Sequence, residues 1–243
     1  MSRVIEDERF RDRDDRGSGR LYHDLVFRSC VFESCSLGVA VRPKKRPTVR
    51  EVTLVNCVVL GCQIGSAILE DILVDGLATT GRVPFFVRGA AFRHVSLRGR
   101  IGSMTITGDA RRPSLKGLDN LALRKEIDAD NADYYGGVDW ALDIHEAEFE
   151  DFELRGGIPA RLIRRDPKTQ VVITRERALE GRWRDIDLSG TPWATAIEMF
   201  VNNNYLDSGY PDKVLVAPKL HPDFPRLLTG LDRLRGAGVA EPD

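Results

Sequence analysis

The stretch VTLVNCVVLGCQIGSAILEDILVDGLAT, residues 52–79, carries the strongest pattern in this chain. Its apolar residues recur every five positions, in pairs whose members are separated by one residue. An α-helix repeats about every 3.6 residues and a β-strand about every two, so neither period explains this spacing. The first members of the pairs are Val52, Cys57, Cys62, Ala67, Ile72 and Leu77, and the second members are Leu54, Val59, Ile64, Leu69, Val74 and Thr79.

We call these paired positions the ladder. The same register returns in residues 25–37, 90–97 and 142–154. A short extended stretch followed by a corner would produce it, and four such sides would close a coil of about twenty residues. Successive coils would then pair as strands about 4.8 Å apart. The first member of a pair is often small and the second large, which suits a narrow interior.

Two segments, CVFESCSLGV (residues 30–39) and CQIGSAILEDILVDG (residues 62–76), resemble the pentapeptide-repeat family. The resemblance implies a mainly β fold, namely a right-handed quadrilateral β-helix. The ladder breaks at about 38–51, 82–89 and 98–141. We therefore expect a β-helix that is interrupted by insertions.

The register divides the chain into three parts. Residues 1–20 combine mixed charge with two glycines and are predicted to form a flexible N-terminal arm. Residues 21–156 are predicted to form the interrupted β-helix domain, with a short helix over 117–132. Residues 157–243 lose the register, and we expect them to form a C-terminal mixed α/β cap over the open end of the coil.

Local patterns within residues 157–243 predict the elements of this cap. Thr191 and Pro192 suit the N-cap and the first position of a helix. The apolar faces of its helices are expected to pack in a core, and the alternative is a homodimer contact. The predicted elements are a strand at 170–174, an extended segment at 183–188, a helix that includes Trp193 and Phe200, a strand at 214–216 and a helix from Phe224 to about Gly236.

The overall charge limits the classes of partner. The 243 residues include 36 Lys and Arg and 37 Asp and Glu, which gives a formal net charge of −1. This balance favours a protein partner and makes nucleic acid the weaker alternative. No run of about 18 apolar residues is present, so no membrane contact is expected. The first twenty residues lack the apolar segment of a secretory signal, and we expect a cytoplasmic protein.

The four cysteines are interpreted as core residues. Their spacing, at Cys30, Cys35, Cys57 and Cys62, does not match the two-residue gap of common zinc sites. Disulfides are rare in the cytoplasm, and free cysteine is among the most buried residue types. We expect neither a metal ion nor another cofactor.

A run of acids is the most distinctive charged feature. The chain contains no phosphate loop, dinucleotide fingerprint or nucleophile elbow, so we assign no catalytic residue. The acids occupy positions outside the ladder and are therefore predicted to point outward. They form a solvated face, a contact for a basic partner, or a metal or acid–base site. The seven residues are Asp139, Asp143, Glu146, Glu148, Glu150, Asp151 and Glu153.

A basic loop is the second charged feature. The segment RPKKRP, residues 42–47, is predicted to be exposed because its prolines exclude a central strand. Solvation alone explains most such loops, and binding of an anion or a partner is the alternative. Its basic residues are Arg42, Lys44, Lys45 and Arg46.

These features favour a non-enzymatic protein that binds another macromolecule through a rigid β-helix wall. The family resemblance implies a role in bacterial self-protection or immunity. It also implies, as an alternative, protection of topoisomerases by imitation of DNA. A hypothesis from another class is an enzyme that acts on carbohydrate through carboxylates near 139–153.

Overall fold

The computed structural model describes residues 2–39, 42–81, 83–110, 118–202 and 211–241. In this part of the chain the strands form three sheets. Sheet A has ten parallel strands and sheet B has six parallel strands. Sheet C is a pair of antiparallel strands.

One or two strands of sheet A precede each strand of sheet B along the chain, and the strands of sheet C come last. Sheet B contains the third, sixth, eighth, tenth, twelfth and fifteenth strands, and sheet C contains the last two. The strands are β1 (Arg3–Glu6), β2 (Arg9–Arg11), β3 (Asp14–Asp15), β4 (Leu21–Arg28), β5 (Val31–Glu33), β6 (Ser36–Leu37), β7 (Thr48–Leu60), β8 (Gln63–Ile64), β9 (Ile68–Thr80), β10 (Phe85–Arg88), β11 (Ala91–Ile101), β12 (Met104–Thr107), β13 (Leu142–Asp143), β14 (Ala147–Phe149), β15 (Phe152–Arg155), β16 (Ile163–Arg164), β17 (Gln170–Thr174) and β18 (Asp212–Val216).

Four α-helices accompany the sheets in the described ranges. The first is longer than the helix that the sequence predicts over 117–132, and the predicted start at Gly117 lies outside the described residues. Among these helices, none is both long and apolar enough to cross a bilayer. The helices are α1 (Leu118–Tyr135), α2 (Arg175–Glu180), α3 (Trp193–Asn202) and α4 (Phe224–Gly236), and short 3-10 helices cover Pro43–Lys45, Ala160–Leu162 and Arg182–Asp185.

The predicted quadrilateral β-helix is wrong. The described chain is an α/β layered fold, in which the ten-stranded and six-stranded parallel sheets combine with helices. The prediction required the extended segments to end at a corner every five residues. However, β7 and β9 each run for 13 residues and β11 runs for 11. The five-residue spacing therefore marks bends inside long strands rather than the sides of a square coil.

Residues with left-handed backbone conformation form these bends. Glu51 and Asn56 in β7 have φ angles of 54° and 51°, and Asp71 and Gly76 in β9 have φ angles of 53° and 76°. His94 in β11 has a φ of 52°. Glycine adopts this conformation freely, and Asn and Asp adopt it more readily than most other residues. The polar residues between ladder pairs thus turn the chain while the strand continues.

The ladder residues line the space between sheets A and B. Alternation along each strand directs their side chains to one face. Sheet B contributes a facing row that follows the same parallel register. The inner row of sheet A is Leu25, Val52, Ile72, Val95 and Leu142, and the inner row of sheet B is Leu37, Ile64, Val87, Ile106 and Leu154.

Residues 3–15 belong to the sheets, in contrast to the flexible arm that the sequence predicts. Strand β1 pairs with β4, β2 pairs with β5 and β3 pairs with β6. Phe10 stacks on Phe32 with a centroid distance of 5.1 Å and meets Phe27 edge-on at 5.9 Å. Ile5 and Phe10 pack against the core and hold these strands in place. The high content of charged residues in this segment led to the prediction of a flexible arm.

The predicted elements of residues 157–241 are largely present. The strand at 170–174, the helix with Trp193 and the helix Phe224–Gly236 are confirmed. The predicted extended segment at 183–188 is wrong, because residues 182–185 form a 3-10 helix. There the buried indole of Trp183 donates a hydrogen bond to the carbonyl of Ala178 at 2.9 Å.

Sheet C lies between two apolar cores. Its side chains alternate in direction, as expected for strands. One face packs against the core between sheets A and B, and the other packs against a core that contains Trp193 and Phe200, as the sequence predicts for those two residues. The proposed domain boundaries stay predictions. Val172, Val214 and Val216 belong to the first core, and Val171, Ile173 and Leu215 belong to the second.

Candidate functional site

A group of interlinked charged side chains lies where β7, β9 and β11 approach the end of α1. At its centre is the carboxylate of Glu70, whose side chain is only 6% exposed. It accepts hydrogen bonds from Nε of Arg50 at 2.6 Å and from the hydroxyl of Tyr134 at 2.9 Å, and Nη2 of Arg93 lies 3.3 Å away. Burial, followed by the hydrogen bond to Glu70, raises the pKa of Tyr134. These contacts fasten α1 to sheet A.

His94 lies next to this group and joins two carboxylates. Its Nδ1 is 3.0 Å from Oδ1 of Asp71, and its Nε2 is 2.7 Å from Oδ1 of Asp139. The hydrogen bond with Asp139 is the largest cause of a raised pKa of His94, and burial opposes it. Because both ring nitrogens bind carboxylates, neither is free to act as a general base or a nucleophile.

Trp140 stacks between charged groups. The rings of His94 and Trp140 have a centroid distance of 4.7 Å, and the guanidinium of Arg164 lies 4.1 Å from the centroid of the Trp140 ring. We call these three residues the aromatic stack. Trp140 is half-buried and Arg164 is exposed. Tryptophan and arginine are enriched among the residues that dominate protein–protein contacts.

Asp143 lies on the outer face of sheet A, but it is covered there, because only 8% of this residue is exposed. It pairs with Ser96 of β11 on one side and with Arg164 of β16 on the other, so neighbouring strands cover it. Its carboxylate binds Nδ1 of His145 and accepts a hydrogen bond from the His145 backbone N–H at 3.2 Å. The hydrogen bond with Asp143 is the largest cause of the raised pKa of His145.

The other predicted acids differ in their partners. Glu153 is half-buried and pairs with Arg155, and Glu146 is exposed and lies 3.5 Å from Nε2 of His145. Three further exposed acids have no ion-pair partner among the residues that the structure describes. We call them the acidic strip: Glu148, Glu150 and Asp151.

The predicted basic loop is only partly exposed. Arg42, Lys44 and Lys45 are exposed, but the side chain of Arg46 is 1% exposed, so its assignment to a basic surface is wrong. Its guanidinium donates to the carbonyl of Ser66 at 2.8 Å and to that of Ala67 at 3.1 Å, and it pairs with Asp130 of α1. Three acceptors converge on this cation and compensate its burial.

The sequence analysis gave no functional role to His94, Trp140 or His145. A usable signal was present, because Trp140 and His145 lie within the acidic run, between Asp139 and Glu146. The partners from β11 and β16 are remote in sequence, and only the strand register brings them there.

The cysteines are all free. Cys30 and Cys57 are buried, as expected, whereas Cys35 and Cys62 are half-buried. Burial is the largest cause of the raised pKa of the Cys57 and Cys62 thiols, which disfavours the reactive thiolate. Within the described ranges, no cluster of three or more His, Cys, Asp or Glu side chains is arranged to hold a metal ion.

No family model, curated protein or solved structure matches this chain. The resemblance of residues 30–39 and 62–76 to pentapeptide repeats therefore stays a prediction from the sequence.

Proposed function

We propose that this chain is a non-enzymatic binding protein that uses the acidic strip and the aromatic stack to recognise a basic protein. The observation that carries the proposal is the contrast in pairing. Asp139 and Asp143 are tied to histidines, whereas Glu148, Glu150 and Asp151 are exposed and lack counter-ions in the described chain. Such carboxylates are available to a cationic partner at little desolvation cost.

The aromatic stack would add a rigid apolar element to this contact. Trp140 is held by ring stacking with His94 and by the guanidinium of Arg164, which in turn lies 4.0 Å from Asp143. A fixed aromatic side chain loses little conformational entropy when it becomes covered. The acidic strip would provide steering and selectivity, and Trp140 would provide buried apolar area.

The wall of sheet A gives less support to imitation of DNA. Outward positions in neighbouring strands include the cations Arg28, Arg50, Arg93 and Arg98. An extended negative surface is not formed there. The carbohydrate-enzyme hypothesis stays a prediction, and Asp143 in particular is buried and already bound to His145.

The test is a quantitative capture experiment with the full chain as bait in a lysate of the native host. The variant Glu148→Lys with Glu150→Lys reverses two charges of the acidic strip. The matched control, Glu176→Lys with Glu198→Lys, reverses two exposed charges on α2 and α3. The proposal expects a basic protein that the wild type and the control retain and that the first variant loses, with retention falling as salt is raised.

A second variant separates the stack from the strip. Trp140→Ala should reduce retention of the same protein with little change in its salt dependence, because the lost contact is apolar. Equal capture by all variants would show that this surface is not the contact.

A further inference from the structure

The space between sheets A and B contains a cavity of about 660 Å³. Its walls are ladder residues of both sheets, and the inner row from Leu25 to Leu142 follows its length. Four steps between five neighbouring strands, at about 4.8 Å each, make this row about 19 Å long. The volume lies within the range of about 300–1,000 Å³ that is typical of ligand pockets. The cavity is therefore elongated and apolar.

The cavity is open at one end. Phe27, Phe32 and Leu37, near the N-terminal strands, are half-buried and contribute to its wall. At the other end Ile144 and Phe149 are 0% and 1% exposed. Among the described residues, the half-buried part of the wall near β3 therefore forms the mouth of an apolar interior.

Polar groups occur at this mouth. Asp15 occupies the inner row of sheet B, next to Leu37, and therefore faces the interior. It accepts hydrogen bonds from the hydroxyl of Tyr22 at 2.7 Å, from the Ser18 hydroxyl at 2.5 Å and from two backbone N–H groups. Burial raises its pKa, but these hydrogen bonds outweigh burial and lower the pKa overall. Asp15 is thus a fixed negative charge at the entrance.

The neighbouring side chains carry charges of both signs. Asp14, also at the mouth, accepts a hydrogen bond from the Ser36 hydroxyl at 2.6 Å and pairs with Arg16. Arg13 is exposed, whereas Asp15 is half-buried in the inner row. Four hydrogen bonds already fill the two oxygens of Asp15, so this residue acts on a head group through its charge, which attracts an ammonium and repels a carboxylate, although Arg13 also lines the cavity.

We propose that this cavity binds a long aliphatic molecule whose head group is an ammonium, with the chain between the sheets and the head near Asp15. The alternative occupant of the mouth is a second copy of the protein, whereas the inner row extends about 19 Å from Leu25 to Leu142. The depth of the cavity therefore favours a chain-like ligand over a dimer contact.

The test measures binding of the neutral fluorophore Nile red to the full chain. Dodecanol, dodecylamine or dodecanoate is then added to displace the dye. We expect saturable uptake of the dye, displacement by dodecylamine, and displacement by dodecanoate that is weaker by about tenfold or more, with the neutral dodecanol between them. Asp15→Asn should reduce this difference, because it removes the charge at the entrance.

Two neighbouring residues of β9 provide matched variants. Val74→Trp adds bulk inside the cavity, and Leu73→Trp adds the same bulk on the outer face of the sheet. Dye uptake should be lost in the first and retained in the second, with circular dichroism to verify folding. If Val74→Trp does not fold, Leu54→Phe is the smaller filling variant and should weaken uptake.

Three results would overturn the proposal. They are failure of the folded wild type to bind Nile red, equal displacement by dodecylamine and dodecanoate, and equal uptake by the inner and outer variants. Light scattering supplies a fourth. A dimer that must dissociate before the dye enters would assign the mouth to a second copy.

Discussion

The two ends of the space between sheets A and B are built from similar residues but differ in exposure. At the N-terminal end Phe27 and Phe32 are half-buried, whereas Phe149 at the C-terminal end is 1% exposed. The C-terminal region covers the second end. There Nε2 of Gln170 donates to the carbonyl of Ile144 at 3.1 Å, and the backbone N–H of Leu220 donates to that of Phe149 at 2.9 Å.

This comparison separates two properties that a sequence pattern does not distinguish. The ladder determines which side chains face inward, because alternation is local. The degree of burial depends on what lies over the end of the stack, which is a long-range property. Equivalent phenylalanines should therefore contribute unequally to the free energy of unfolding.

The largest expected effect tests this inequality directly. Phe149→Ala should lower the free energy of unfolding by about 3–5 kcal/mol, since it removes a fully buried ring that stacks on Phe152 at 4.2 Å. Phe32→Ala, at the open end, should lower the free energy of unfolding by about 1–2 kcal/mol, because folding removes less of the surface of a half-buried ring from water. Urea denaturation followed by circular dichroism measures both. Equal losses would show that the two ends are equally covered.

The next effect concerns the polar closure of the sealed end. Gln170→Ala should destabilise the protein by about 1–2 kcal/mol, because the buried carbonyl of Ile144 loses its side-chain donor. Tyr22→Phe is the counterpart at the open end, where water can replace the hydroxyl that donates to Asp15. Its cost should be below about 1 kcal/mol. A larger effect at Tyr22 than at Gln170 would contradict the assignment of the open end.

The dependence of stability on pH should also distinguish the open end of the cavity, which contains Asp15, from the outer charged group, which contains His94. Asp15 has a lowered folded pKa, so its contribution is present above the unfolded value of about 3.9 and is lost as the pH falls below it. His94 has a raised folded pKa, so its contribution is present below about 6.5 and is lost as the pH rises through the folded value.

Two variants assign these limbs of the pH profile. In a plot of the urea midpoint against pH, Asp15→Asn should reduce the slope at acid pH, and His94→Gln should reduce the slope above neutrality. Since His145 also has a raised pKa, the double variant with His145→Gln should flatten that limb further. An unchanged profile in His94→Gln would mean that its contacts with Asp71 and Asp139 do not persist in solution.

The smallest effects are expected on the outer surface, where the two ends should not differ. Glu148 and Glu8 are both exposed and have no ion-pair partner in the described ranges. Glu148→Gln and Glu8→Gln should each change the free energy of unfolding by less than about 0.5 kcal/mol. A cost near that of Phe149→Ala at either position would mean that the ladder register has been assigned to the wrong face.

The sequence predicted local features better than their assembly. The strand Gln170–Thr174 and the helices at Trp193 and Phe224 followed from period and capping residues. The five-residue spacing predicts corners at which each extended segment ends. Hydropathy alone does not distinguish this pattern from a long strand with internal bends, such as β7 with its bends at Glu51 and Asn56. Strand continuity depends on hydrogen bonds to neighbours, which a single sequence does not display.

The charged site shows the same limit. The acidic run is evident in the sequence, but the pattern predicts an exposed Asp143. The adjacent sequence does not indicate that Ser96 and Arg164 lie beside it in the sheet. Arg46 was assigned to a basic loop because its acceptors, the carbonyl of Ser66 and the carboxylate of Asp130, lie on other elements. Pairings between remote segments decided both positions.

The parallel pairing of long strands also has a consequence for how the chain acquires its structure. Parallel neighbours cannot be joined by a tight turn, so each pairing must wait for a distant segment. Val95 of β11 meets Leu142 of β13 only after the intervening chain, which includes α1, has left the ribosome. Contacts of such high sequence separation slow folding, and during this interval the edge of β11 is open to association with other nascent chains.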